Sequence, residues 1–206
     1  MSTLMEAISP ALIGSRSHCA LCSAYMGEIN AQQMYLFAAC RMEEASLHVI
    51  AHALRFTAAQ EKEHADIFRG LITAYGGTHP TTAEDAILLP DEPAAILRII
   101  SQGEADEAER LYPFHARVAA EEGYPRIAAA FQRIAETETL HARRFRQYEQ
   151  ALTNGDLFRA DAPVSWVCLP CGQLHTGCEP PDTCAFCGKD RGHFIRSSYY
   201  PFSVEG

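Results

Sequence analysis

The sequence predicts an all-α four-helix bundle followed by a small module of strands and loops stapled by a metal. Three observations predict it. From about residue 20 to residue 154 the chain is poor in Gly and rich in Ala, Leu, Glu, Gln and Arg, a composition that favours helix. After Asn154 the helical pattern stops, and Pro163, Pro170, Pro180 and Pro181 alternate with Gly172, Gly177, Gly188 and Gly192. Five of the eight cysteines (Cys168, Cys171, Cys178, Cys184 and Cys187) crowd into this tail. The tail is too short to bury a core of its own, so it needs a staple.

The helices come in order. The first covers roughly residues 20–42. The second runs over about 46–75 and stops at Gly76-Gly77. The third begins near Pro93, a residue suited to a first helical turn, and reaches about Gly123. The fourth runs from about Tyr124 to Asn154-Gly155. The first and third connections are short, which makes antiparallel neighbours. The middle connection, 76–92, is long, and one long crossover between two helical hairpins is the ferritin-like topology. The expected divisions are an N-terminal lead (1–18), the bundle (19–155), a linker (156–165) and the four-cysteine module (166–206).

Composition narrows the function. The chain has 206 residues and 22.7 kDa, with 48% hydrophobic and 21% charged residues, the balance of a soluble globular protein. Its net charge of -9 and pI near 5.4 argue against a phosphate backbone as partner. No apolar run is long enough to span a membrane. Residues 1–17 lack a basic start followed by an apolar stretch, so the expectation is a cytoplasmic protein. Cysteines in that compartment point to metal rather than to disulfides.

The two hairpins repeat. A shift of 77 residues lays Glu138-x-x-His141 on Glu61-x-x-His64, Glu121 on Glu44, Ile127 on Ile50, Phe145 on Phe68 and Tyr112 on Tyr35. Glu104 falls one residue short of Glu28, so the register slips between Glu104 and Tyr112. An extra residue absorbed as a π-bulge in the third helix accounts for the slip.

Glu-x-x-His sets both side chains on one helix face. Two copies in a repeated hairpin, each preceded by a Glu on the partner helix, form the ligand pattern of a dinuclear carboxylate bundle. It selects Glu28, Glu61, His64, Glu104, Glu138 and His141. Four carboxylates inside a bundle are costly unless cations compensate them, and mixed oxygen and imidazole donors suit iron or manganese. Glu107, one turn after Glu104, has no counterpart: Ala31 stands in its place. It reads as a seventh ligand that makes the two metal positions unequal. Tyr35 and Tyr112 are candidates to hydrogen-bond the ligand carboxylates from behind. His48 and His52 share a face but lie far along the helix from Glu61, and read as ordinary residues.

In the tail, Cys168-x-x-Cys171 and Cys184-x-x-Cys187 are separated by twelve residues. Two such knuckles make a tetrahedral four-thiolate site for zinc or iron. A glycine follows each (Gly172 and Gly188) and permits a tight turn. Cys178 is not needed as a ligand.

These two constellations on one chain resemble the rubrerythrin family. The resemblance covers nearly everything from Ala20 to Arg196. It rests on Gly27-Glu28, Glu61-Lys62-Glu63-His64, Gly103-Glu104-x-x-Glu107, Tyr112-Pro113 and Glu121-Glu122-Gly123-Tyr124 in the bundle. In the tail it rests on Trp166-x-Cys168-x-x-Cys171-Gly172, His175-x-Gly177, Cys184-x-x-Cys187 and His193-Phe194. It implies a ferritin-like di-iron domain coupled to a rubredoxin-like iron site. The implied activity is a peroxidase in oxidative-stress defence that reduces hydrogen peroxide to water. It implies two non-haem irons in the bundle and one iron, or zinc as purified, on the four cysteines. Glu61 and Glu138 would bridge, and Glu28 and Glu104 would be terminal. His141 would be a permanent ligand, and His64 and Glu107 would exchange with oxidation state. Electrons would come from rubredoxin or an NAD(P)H-dependent rubredoxin reductase. The resemblance also implies a homodimer or higher homo-oligomer, with the tail serving a neighbouring subunit. Ferroxidase or iron-handling chemistry is the alternative, and a structural bundle with a zinc ribbon is a second. The sequence departs from the family pattern at Ala185-Phe186, where a proline is common, and at Cys19-x-x-Cys22, whose readings are metal binding with His18, a redox pair or, the one favoured here, small side chains near a helix end.

Overall fold

The computed structural model describes residues 11–81 and 87–199. The start of the expected lead (1–10), part of the crossover (82–86) and the end of the four-cysteine module (200–206) lie outside the described residues.

Helix α1 spans Arg16–Glu44, longer than the sequence pattern at both ends. Its start is fixed by side chains remote from the apolar periodicity. Ser15 Oγ accepts from the His18 amide at 3.0 Å, and Glu122 accepts from the Arg16 and Ser17 amides at 3.2 and 2.9 Å. Ser46, at φ 56°, turns the chain into α2, His48–Ala74. The stop at Gly76-Gly77 is the expected one, with the Gly77 amide reaching back to the Ile72 carbonyl at 2.9 Å.

Helix α3, Pro93–Asp106, starts at its proline, with Glu92 Oε2 accepting from the Ala95 amide at 3.1 Å. A π-helical segment comes next over Glu107–Leu111, and α4 continues over Tyr112–Glu121. The bulge thus falls inside the Glu104–Tyr112 window marked by the broken repeat. Helix α5 spans Pro125–Asn154. The architecture is a mostly helical ferritin-like fold followed by a small strand-and-loop module that bears four cysteines. Among the described residues no helix is long and apolar enough to cross a membrane.

Close contacts group the chain into two compact units, each built from three stretches. One comprises Met1–Gln33, Ala58–Ala86 and Ser101–Arg143, and the other Met34–Thr57, Ile87–Ile100 and Arg144–Gly206. The first unit buries Leu21, Phe68, Tyr112, Ala116, Ile127 and Phe131 in one apolar cluster. Its ring packing is specific: Phe68 lies 4.9 Å from Phe131 and meets Tyr112 edge-on at 5.8 Å.

The second unit holds an antiparallel sheet of β1 (Val164–Cys168), β2 (Leu174–Gly177) and β3 (Phe194–Arg196), in the order β2-β1-β3. Trp166 pairs with His175 on one side and Arg196 on the other. Residues alternate across β1. Trp166 and Cys168 join Cys184 and Phe194 on one face, whereas Val167 packs with Ile195, Val49 of α2 and Tyr148 of α5 on the other.

Candidate metal centres

In the first unit α1, α2, α3 and α5 contribute acid or imidazole to a buried point. Glu28, Glu61, Glu104, Glu138 and His141 are at most 1% exposed, and His64 is 7% exposed. Their donor atoms form two groups, Glu28, Glu61, His64 and Glu138 in one and Glu61, Glu104, Glu138 and His141 in the other, with every atom in a group within 4.8 Å of the rest. Glu61 and Glu138 belong to both. All six residues selected by the repeated motif are therefore brought together.

The contacts inside are short. His64 Nδ1 lies 3.0 Å from Glu61 Oε2 and 2.9 Å from Glu138 Oε1. His141 Nδ1 lies 2.7 Å from Glu138 Oε2 and 3.0 Å from Glu61 Oε1. Yet Glu28 Oε2, Glu61 Oε1, both Glu138 oxygens and His141 Nδ1 have no directed hydrogen bond among the described residues. Buried polar atoms without a well-directed hydrogen bond are rare. Five of them converging on one point, in a set of four carboxylates and two imidazoles, fit two divalent cations.

Electrostatics show what the cations would relieve. Burial, then repulsion from Glu138 and Glu61, holds the Glu28 carboxyl well above the usual range. Burial likewise lifts Glu104 and Glu107, each to about 8. Burial would lower both imidazoles, but the carboxylates around them raise His64 to about 9 and His141 to about 11. Glu138 goes the other way: burial opposes, but His141 and His64 draw it down to about 2. Protons sit where positive charge is required, and cation binding would displace them.

Glu107, on the π-helical segment, is half-buried and stands outside both donor groups. It is near enough for Glu138 and Glu61 to act on its charge, and its Oε1 faces Gly27, where an added Cβ would be 3.9 Å away. Tyr112 donates to Glu28 Oε1 at 2.5 Å, and burial followed by the Glu28 charge keeps its hydroxyl protonated. Tyr35 is buried with its ring tilted against Phe145 at 5.6 Å. The sequence reading missed Gln60. Its Oε1 lies 3.1 Å from His141 Nε2, which leaves Nδ1 turned toward the carboxylates. Adjacency to Glu61 is the sole sequence signal for it.

The second unit holds the four thiols. Cys168 Sγ is 3.6 Å from Cys187 Sγ, and Cys171 Sγ is 3.7 Å from Cys184 Sγ. A tetrahedron with metal–sulfur bonds of about 2.3 Å has edges of about 3.8 Å, so the cage matches a tetrahedral ion. Gly172 and Gly188 have φ of 73° and 72°, and each amide bonds back to the carbonyl of its first knuckle cysteine. Hydrogen bonds from the Cys187 and Phe186 amides prevail over burial and bring the Cys184 thiol to about 7, whereas burial pushes Cys168 up. Trp166 Nε1 donates to the Gly177 carbonyl at 2.9 Å and closes the module core.

The remaining cysteines are free. Cys19, Cys40 and Cys178 are exposed, and Cys22 lies 3.7 Å from His18 Nε2. None belongs to a group of three or more donors among the described residues. His48 does: it meets Asp190 and His193.

The fold and the two donor arrangements define a class: a ferritin-like carboxylate–histidine dinuclear protein carrying a rubredoxin-like four-cysteine module. Comparison with known proteins makes this specific. The rubrerythrin family profile matches residues 20–149, and the profile for the rubredoxin-like domain of rubrerythrin matches 166–195. The chain belongs to the rubrerythrin family. It is 32% identical to the rubrerythrin of Clostridium perfringens (strain 13 / Type A) over 89% of this chain and 95% of that protein. It is 33% identical to that of Porphyromonas gingivalis (strain ATCC BAA-308 / W83) over 88% and 90%. A structure of nigerythrin in a mixed-valence state superposes with a TM-score of 0.61 at 26% identity, covering 92% of this chain and 90% of that one.

Proposed function

We propose that this chain is a non-haem di-iron peroxidase that reduces hydrogen peroxide to water. It would draw its electrons through a rubredoxin-type iron on Cys168, Cys171, Cys184 and Cys187. The observation that carries the reading is the pair of buried donor groups sharing Glu61 and Glu138, on a chain that also builds a four-thiolate tetrahedron. A ferrous pair, when bound, supplies the electrons for O–O cleavage and polarises the peroxide.

The residues have distinct tasks. Glu61 and Glu138 would bridge. Glu28 with His64, and Glu104 with His141, would complete the two positions. Glu107 lies on the π-helical segment outside both donor groups, and it and His64 would alternate as ligands of the first position. Tyr112 holds its proton on the hydroxyl and fixes Glu28 Oε1. Gln60 fixes the tautomer of His141. Burial of the six donors excludes bulk water from the reacting centre.

The electron source is an external one, rubredoxin or an NAD(P)H-dependent reductase, and the protein acts as a homo-oligomer in the cytoplasm in oxidative-stress defence. The test is anaerobic stopped-flow spectroscopy. Iron-loaded protein is reduced fully, mixed with peroxide, and followed at the visible band of the ferric four-cysteine site. Rapid return of that band in the native chain, and its loss in Glu61→Gln, is the expected result. A band indifferent to peroxide overturns the reading in favour of iron handling. A protein that takes zinc in place of iron at the cysteines overturns it in favour of a structural ribbon.

A further inference from the structure

A third donor cluster lies in the second unit, apart from the four thiols. His48 opens α2, while Asp190 caps and His193 ends the 3-10 turn Arg191–His193 that leads into β3. His48 Nε2 is 3.5 Å from Asp190 Oδ2, and His193 Nδ1 is 3.3 Å from Asp190 Oδ1. The two imidazoles face each other with centroids 3.8 Å apart and planes inclined by 23°. One donor atom from each residue lies within 4.8 Å of the other two.

These separations suit a metal. Donors around a tetrahedral zinc with bonds of about 2.1 Å are about 3.4 Å apart. The two nitrogen–oxygen spacings lie within a tenth of an ångström of that value, His48 against Oδ2 and His193 against Oδ1, so a turn of the carboxylate is needed to set one oxygen between both rings. The stacked rings need rotation about χ2, a soft torsion for histidine, to turn their lone pairs onto one point. The backbone beneath is held firmly. Gly192 packs so closely on the Ser46 carbonyl that an added Cβ would stand 1.9 Å from its oxygen. That contact pins the turn carrying His193 against the loop preceding His48. Asp190 Oδ1 also accepts from the Gly192 amide at 2.9 Å, which orients the carboxylate.

Exposure leaves room for a further ligand. The His48 and His193 side chains are 20% and 12% exposed and that of Asp190 is 53% exposed. Two imidazoles and one carboxylate supply too few oxygens for calcium or magnesium and no sulfur, and they match a borderline cation. We propose that His48, Asp190 and His193 form a separate site for one zinc-class divalent cation, with water as the fourth ligand. The ion would cross-link the first turn of α2 to the turn before β3. Nothing in the peroxide reading depends on it.

The test uses the iron-loaded protein, with both iron centres filled. It is equilibrated with zinc sulfate and desalted, and zinc and iron are counted by plasma emission. About one zinc per chain is expected on the native protein. It should be lost in His48→Asn and in Asp190→Asn with the iron count unchanged, the second variant keeping a side chain able to cap Gly192. No zinc on the native chain, or the native zinc count retained on both variants, overturns the site. Should a variant also lose iron, the zinc K-edge spectrum of the native protein decides. Nitrogen and oxygen scatterers with imidazole features support the site. Sulfur scatterers place the zinc among the cysteines and overturn it.

Discussion

Tyr112 shows how one atom behind a carboxylate can orient it. Its hydroxyl is the partner of Glu28 Oε1, while Glu28 Oε2 faces the donor cluster with no hydrogen bond among the described residues. Tyr112→Phe should keep the ring packing on Phe68 and Phe131 but let the carboxylate turn. We expect iron affinity to fall by about 10- to 100-fold, read by chelator competition, with helical content unchanged. Tyr112 was legible because it repeats Tyr35 in the sequence. Gln60 was not, since a glutamine next to a ligand has no distinguishing pattern until the opposite helix supplies His141. Glu122 was visible as part of a motif, but its work was not: it sits between α4 and α5 and receives the first amides of α1, more than a hundred residues away in sequence. Hydrogen bonds from the Ser17 hydroxyl and amide hold its carboxyl down at about 2. A depressed carboxyl stabilises the fold above its unfolded value of about 4.5, and that contribution fades as pH falls toward about 2. Glu122→Gln should therefore cost about 1 kcal/mol at neutral pH. The gap in urea midpoint between it and the native chain should close as pH is lowered from about 4.5 to about 2.

Among the elements, the third helix is the informative one. Residues 104–112 hold one residue more than the equivalent stretch of the first hairpin, and the structure takes it up as the π-helical segment Glu107–Leu111. Comparison of the two halves of the sequence located this to a window of about two and a half turns. What it could not give is the position of Glu107, which depends on how the widened turn swings that side chain. An inserted residue can be taken out again without rotating the helix beyond it. Deleting exposed Glu109 should restore regular helix and preserve both flanking faces. Deleting exposed Arg117, within regular α4, turns Val118 and Ala119 away from the core by about 100°. Thermal unfolding followed by circular dichroism should show cooperative melting in the first variant and its loss in the second. The ends of α1 escaped the sequence pattern for a related reason. Apolar periodicity marks the buried turns, and caps set by side chains from other segments lie outside it.

At the scale of the whole molecule, the four-cysteine module rests on few apolar groups: Trp166 and Phe194 with the cysteines on one face, and Val167 and Ile195 against Val49 and Tyr148 on the other. Removing its metal should loosen residues 164–199 well before the helices melt, read as selective loss of amide-exchange protection there. Gly192→Ala drives a methyl into the Ser46 carbonyl and should cost about 1–3 kcal/mol, measured by denaturant titration. The sequence announced the module by its cysteine spacing, but its seat on α2 and α5 involves Val49 and Tyr148, which look like ordinary helix residues until the strands arrive. The second compact unit is therefore not a length of chain. It takes in Met34–Thr57 and Ile87–Ile100 as well as everything from Arg144 onward. A protease cut between Asp156 and Ser165 would sever the backbone without freeing a piece. The tail fragment should stay bound to the nicked helices through native washing and part from them only in denaturant, and expressed alone it should lack the apolar surface on which it is built.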